Sequence, residues 1–157
     1  MEDERNQLFL HYRKFLDELR PDGFVFENVS GLLNMEKGQV FARVKAEFES
    51  VMGEITGWVL SSEEFAIPQR RTRVFLLASK HLKTRFVRPV TITARPKLDD
   101  LFNDLKPWVS VEDALGDLPE LSPGEDGSFL SYSKSAATQY QKLMRGIISP
   151  EGYYSAY

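Results

Sequence analysis

From Arg5 to Leu19 the apolar residues Leu8, Phe9, Tyr12, Phe15, Leu16 and Leu19 recur at the spacing of one helix face, and Pro21-Asp22-Gly23 supplies a stop. The spacing predicts an amphipathic helix. Phe24-Val25-Phe26 is a short apolar run without alternation, which reads as a strand buried on both faces of a parallel sheet, with Glu27-Asn28 where that strand ends. In open α/β sheets the carboxyl ends of strands are where ligands bind. Val40, Phe41, Val44, Phe48, Val51 and Met52 return to helical spacing, and Gly53 is placed to close that helix. A second strand is predicted from Ile55 to Leu60 and a third from Val74 to Leu77, joined through a polar loop that ends in Pro68. That connection is about a dozen residues with no helical pattern, so the two strands are expected to pair antiparallel.

Beyond Lys80 the pattern changes, with Pro89, Pro96, Pro107, Pro119 and Pro123 punctuating short segments. Ser110 and Asp113 form a capping pair for a short helix ending near Gly116, and Ser133 to Arg145 reads as a last helix stopped by Gly146. Tyr153-Tyr154 carries no signal of its own. The fold class that follows is α/β: about three strands with flanking helices over residues 1–80, then a mixed, loop-rich region over residues 81–157.

Composition narrows the function classes. The chain of 157 residues, 42% hydrophobic and 27% charged, is long enough for a real core. It has no cysteine, hence no disulfide, thiolate metal site or cysteine nucleophile, and only two histidines, which argues against a histidine-rich metal site. Neither a membrane span nor a signal peptide is legible, so a cytoplasmic location is expected. The net charge of −3 conceals a sharp asymmetry: Gln69 to Lys97 carries nine Lys or Arg and no acid, whereas Leu98 to Gly127 carries nine acids and the single base Lys106. Such a basic block can follow a phosphate backbone, or it can be a solvated face; charge alone leaves both open.

Three stretches carry chemistry in a fixed order: Asp3, Arg5, Asn6, Leu8 and Phe9 opening the first helix; Phe26-Glu27-Asn28-Val29 followed by Ser30-Gly31-Leu32-Leu33; and Pro68-Gln69-Arg70-Arg71-Thr72-Arg73 entering the third strand as Val74-Phe75-Leu76-Leu77-Ala78. In this order and spacing they resemble consecutive blocks of the DNA cytosine-5 methyltransferases. The likeness is strong over the first 80 residues and weaker through Trp108, Val111, Asp113, Ala114, Asp117 and Pro119, which resemble the entry to the family's target-recognition domain. One departure stands out: where the family has Asp, an aromatic residue and Gly before Pro-Gln, this chain has Glu64-Phe65-Ala66-Ile67.

The resemblance implies part of a Rossmann-like methyltransferase sheet, and it assigns roles. In this chemistry a cysteine thiolate adds to cytosine C6, and the activated C5 takes a methyl group from S-adenosylmethionine. Glu27 would donate to N3 of the flipped base, its acidity tuned by burial at the strand end, with Asn28 holding the turn. Arg73 would face the cytosine O2 and the Glu27 carboxylate, Arg71 a phosphate or the pocket wall, and Gln69 would brace the loop. Leu8 matches a position lining the cofactor pocket. The family's aromatic-x-Gly-x-Gly turn and Pro-Cys loop have no counterpart in this sequence, since the Pro-Cys loop would precede Asp3. The chain is therefore expected to be an internal piece of the catalytic domain, without S-adenosylmethionine bound and without methyl transfer when alone. Double-stranded DNA is the partner implied for the complete enzyme. Because a cut sheet exposes the edge of the Phe24 strand, the chain is expected to self-associate or to bind a complementing N-terminal chain. A non-catalytic partner of a split enzyme and a DNA-binding module using the basic block remain alternatives.

Overall fold

Alternation along β1 (Gly23–Val29) decides which side of the first sheet becomes core. In the computed structural model, which describes residues 8–80, 86–95 and 105–157, β1 pairs antiparallel with β3 (Thr72–Ser79). The register sets Phe24 opposite Ala78, Phe26 opposite Leu76 and Asn28 opposite Val74. These residues face α1 (Leu8–Leu19) and α2 (Gln39–Met52), with Phe9, Leu16, Val44, Phe48 and Met52 completing the core. Phe48 is its centre: fully buried, its ring centroid lies 5.1 Å from that of Phe26 and 5.5 Å from those of Phe24 and Tyr12. Edge-to-face and tilted ring pairs at these separations add to the stabilisation from burial alone.

The reading of Phe24-Val25-Phe26 as buried on both faces is corrected here. Val25 points away from the helices and is 59% exposed, and β1 is an outer strand of a three-stranded sheet ordered β1-β3-β2, with β2 spanning Thr56–Ser61. A run of three apolar residues is too short to show a period of two, so only the strand's pairing reveals it. Both long helices form where their spacing predicts, and Gly53 closes α2 at φ 81°, a positive φ that glycine adopts without steric cost. Asp3, Arg5 and Asn6 of the first helix motif, and Lys83, Arg85 and Lys97 of the basic block, lie outside the described residues.

The chain divides into two compact units, residues 1–60 with 72–89 and residues 61–71 with 90–157. The second unit thus takes an eleven-residue segment from the middle of the first eighty residues. Its regular structure is sparse: a short parallel pair, β4 (Thr93–Ala94) with β5 (Lys106–Pro107), and the brief helices α3 (Val111–Leu115), α4 (Gln139–Met144) and α5 (Pro150–Tyr154). Side-chain capping therefore contributes much of its local order. Ser110 and Asp113 form the expected box at α3, Thr138 and Gln141 a second box at α4, and Ser149 accepts from the Gly152 N–H at α5.

The last long helix predicted from Ser133 is corrected to the six residues of α4. Thr138 is its cap, and the preceding Ser133 hydroxyl bonds the carbonyls of Asp117 and Leu118 instead of continuing a helix. Gly146, at φ 67°, stops the chain as expected. Among the described residues no helix is long and apolar enough to cross a membrane.

Because Trp58 belongs to the first unit and Trp108 to the second, fluorescence can follow the units separately. Phe48→Ala, in a Trp108→Phe background, is expected to destabilise the first unit by about 3–5 kcal/mol in urea denaturation. A loss below about 1 kcal/mol would show that the aromatic cluster is not its core.

Candidate active site

Side chains on the other face of the β1–β3 pair include two that the sequence singles out. Glu27 stands opposite Phe75, and Arg73, two residues earlier on β3, opposite Val29. A separation of two along a strand returns to the same face, so Arg73 is the diagonal neighbour of Glu27. The Arg73 Nε lies 2.8 Å from Glu27 Oε1, while its Nη1 donates to the Thr72 carbonyl at 2.8 Å. Two contacts therefore hold the guanidinium plane, and the guanidinium orients the carboxylate. The arginine side chain is 20% exposed and the glutamate 42%.

That exposure corrects one expectation. Glu27 sits inside β1 rather than at its end, and among the described residues its side chain lacks the burial on which a desolvation argument rests. Asn28, on the helix-facing side, turns its Oδ1 to accept from the Val29 N–H at 2.8 Å, a local brace at the last residues of the strand. It also lines a cavity of about 320 Å³ together with Leu8, Phe9, Tyr12, Phe26 and Val40 among others. Leu8 is 62% exposed at the start of α1 and is one wall of that cavity. Burial pushes the Tyr12 hydroxyl's pKa above its usual value, and the hydroxyl donates to the Val25 carbonyl.

Gln69 and Arg71 lie on the segment that belongs to the second unit, and both are exposed. The loop closes on itself: the Gln69 N–H donates to the Ile67 carbonyl at 2.7 Å, the Ser62 hydroxyl donates to the Gln69 carbonyl at 2.5 Å, and the Ser62 N–H to the Arg71 carbonyl at 3.0 Å. The structure thus brings Glu27 and Arg73 together and sets Asn28 beside Leu8, while Gln69 and Arg71 share a separate loop that runs directly into β3.

The burial and pairing of several polar residues are not legible in the sequence. Glu63 is buried with its Oε2 lacking a hydrogen-bond partner, and Arg70 Nε stands 4.0 Å from its Oε1. Asp117 is buried against Arg145, whose guanidinium also bonds the Lys134 carbonyl and lies 3.6 Å from the Tyr132 ring centroid. Nothing in one sequence marks a glutamate in a loop as buried. The pairing of Asp117 with Arg145, across 28 positions, is equally invisible. Two residues of the weaker resemblance acquire structural roles here: Asp113 completes the α3 cap, and Asp117 anchors Arg145.

The model of the C-5 cytosine-specific DNA methylase family matches residues 1–156. The type II methyltransferase M.AgeI of Thalassovita gelatinovora is 32% identical over 99% of this chain and 39% of its own length. M.DdeI of Desulfomicrobium norvegicum is 30% identical over 91% of this chain and 34% of its own. A solved structure described as a DNA modification methyltransferase of an E. coli prophage superposes with a TM-score of 0.54 at 27% identity, covering 76% of this chain and 32% of that one. The chain belongs to the C-5 cytosine-specific DNA methylase family, and its α/β fold, with a small antiparallel sheet and flanking helices, resembles that of a DNA methyltransferase. It spans less than half the length of these relatives.

The Glu27–Arg73 contact has solvent access, so its share of folding stability is small. Glu27→Gln and Arg73→Ala are each expected to cost under about 1 kcal/mol in urea denaturation. A cost above about 2 kcal/mol for either would mean that the pair is a structural tie of the sheet.

Proposed function

We propose that this chain supplies the base-pocket portion of a DNA cytosine-5 methyltransferase, with Glu27 and Arg73 contacting the flipped cytosine and Gln69 and Arg71 bracing the approach to it. The observation that carries this reading is the Glu27–Arg73 contact, built by the β1–β3 register on the sheet face opposite the core. The target base has to leave the duplex, since its ring is not accessible in the stack. As a thiolate adds to C6, charge develops on the ring, and the Glu27 carboxyl group serves as donor at N3. Arg73 holds that group in line and presents donors toward O2. Arg71, exposed on its loop, meets a backbone phosphate.

The attacking thiolate has to come from outside this sequence, which contains no cysteine. S-adenosylmethionine is the methyl donor that the family implies, but the residues here do not fit it by themselves. The cavity beside Leu8 has an apolar wall suited to a flat ring and, among the described residues, no charged side chain for an amino-acid group or a sulfonium. The rest of the catalytic domain would supply both. In this reading β1-β3-β2 is one end of a Rossmann-like sheet, and the outer edge of β1 is where the sheet continues. Exposed Val25 and Val29 on β1, with Phe15 and Leu19 on α1, are apolar surface that such a continuation would cover. The complete enzyme acts on double-stranded DNA, and we place it in the cytoplasm.

A complementing chain that carries the Pro-Cys and Gly-x-Gly segments tests this directly. The purified chain alone is expected to transfer no label from S-adenosylmethionine to duplex DNA, and the mixture to transfer it. In the mixture, Glu27→Gln should slow transfer by about 10²- to 10⁴-fold. Transfer by the chain alone, or a mixture indifferent to Glu27→Gln, would contradict the proposal. The open β1 edge also favours self-association when no complement is present. Sedimentation should show a concentration-dependent dimer that the complementing chain dissolves, and a monomer at all concentrations would contradict it.

A further inference from the structure

The loop that carries Gln69 and Arg71 begins at a backbone conformation that has to be held from outside. Ala66 has φ 56° and ψ 30°, in the left-handed region, where a residue with a Cβ is disfavoured relative to glycine. It occupies the position at which the family pattern has Gly. It is also fully buried, so no water can satisfy its backbone groups. Its N–H donates to Thr93 Oγ1 at 3.1 Å, and the same Thr93 hydroxyl donates to the Glu63 carbonyl at 2.6 Å. One side chain therefore bridges the two ends of the Glu63–Ala66 turn. The Ala66 carbonyl accepts from the hydroxyl of Tyr153, 87 positions away on α5. Ile92 adds a main-chain bond from its N–H to the Glu64 carbonyl at 3.0 Å.

We infer that Thr93 and Tyr153 are positioning residues that clamp the left-handed turn at Ala66 and so fix the Gln69–Arg71 loop for DNA. Both are themselves fixed. Thr93 is fully buried in β4, and Tyr153 is 1% exposed, with the rings of Tyr157 and Tyr140 at 5.2 and 6.0 Å. Burial and the neighbouring Tyr157 hydroxyl push the Tyr153 pKa far above its usual value, so the group stays a donor throughout the neutral range. From the clamp the chain runs through Ile67 and Pro68 to Gln69, whose carbonyl is tied to Ser62. The loop is thus held at its origin by Thr93 and Tyr153 and at its end by Ser62. A consequence is that α5, in the region that resembles the start of a target-recognition domain, is coupled to a loop of the catalytic motifs. The clamp itself stands on geometry, and its role in DNA contact rests on the base-pocket reading.

Hydrogen exchange on the full chain reads the clamp without reference to activity. Tyr153→Phe keeps the ring and removes only the hydroxyl, and the Ser62, Ala66 and Gln69 amides are expected to exchange at least about tenfold faster. Thr93→Val should do the same at Ala66, and Thr93→Ser, which keeps the hydroxyl, should restore protection. The α2 amides of Val44 and Phe48 should not change. Unchanged loop amides in Tyr153→Phe, or equal acceleration throughout the second unit including Arg145 and Ser155, would overturn the clamp. The functional arm is a double-mutant cycle on duplex binding between Tyr153→Phe and Arg71→Ala. Positioning requires that the Arg71→Ala loss shrink to less than half in the Tyr153→Phe background, whereas additive losses would overturn that role. If the wild-type chain binds no duplex, the DNA-contact reading of the loop fails while the exchange result still decides the clamp.

Discussion

The antiparallel register of β1 with β3 is the constraint on which the first unit depends. Setting Phe26 opposite Leu76 and Glu27 opposite Phe75 sends Phe24, Phe26, Leu76 and Ala78 into one core with Phe48. The same register leaves Glu27 and Arg73 as diagonal neighbours on the other face. A slip of one residue would drive Glu27 toward α2 and turn Phe26 outward, which a buried aromatic cluster does not tolerate. Core packing and the charged pair are therefore two results of one hydrogen-bonding pattern. The ion pair adds little to folding, but folding determines the ion pair.

The second unit is held differently. Its helices are five or six residues long, too short to persist alone, and it substitutes caps, a buried Asp117–Arg145 pair and a cluster of tyrosines for long elements. Buried polar groups of this kind are expensive unless satisfied, and here their partners are distant in sequence. Such an arrangement fixes loops rather than layers. That is the quality the proposed contact of the Gln69–Arg71 loop with DNA needs, since it has to present loop side chains in definite directions.

How much of this was legible in the sequence differs from element to element. Helices α1 and α2 announce themselves because their apolar residues repeat over three or more turns, and the Ser110–Asp113 cap is a local signal. Glu27, Arg73 and the loop between them could be singled out only through their order and spacing as a set; taken singly, a glutamate after a strand means little. The burial of β1 is not legible because three apolar residues carry no period, and the start of the last helix is not legible because Ser133 to Thr138 looks helical in composition but bonds elsewhere. Ala66 shows the intermediate case. Its departure from Gly is visible in the sequence, whereas the reason for Gly, a left-handed φ of 56°, is visible only in the backbone. Tyr153 carried no signal at all, because its partner lies 87 residues away.

The β1–β3 register puts the Arg73 guanidinium on the Glu27 carboxylate. Nuclear magnetic resonance of the Arg73 Nε–H tests it most directly. The expected result is a distinct Nε–H resonance that is protected from exchange, shifts on Glu27→Gln, and does not shift on Glu54→Gln elsewhere in the unit. An Arg73 Nε–H indistinguishable from those of exposed arginines and indifferent to Glu27→Gln would contradict it.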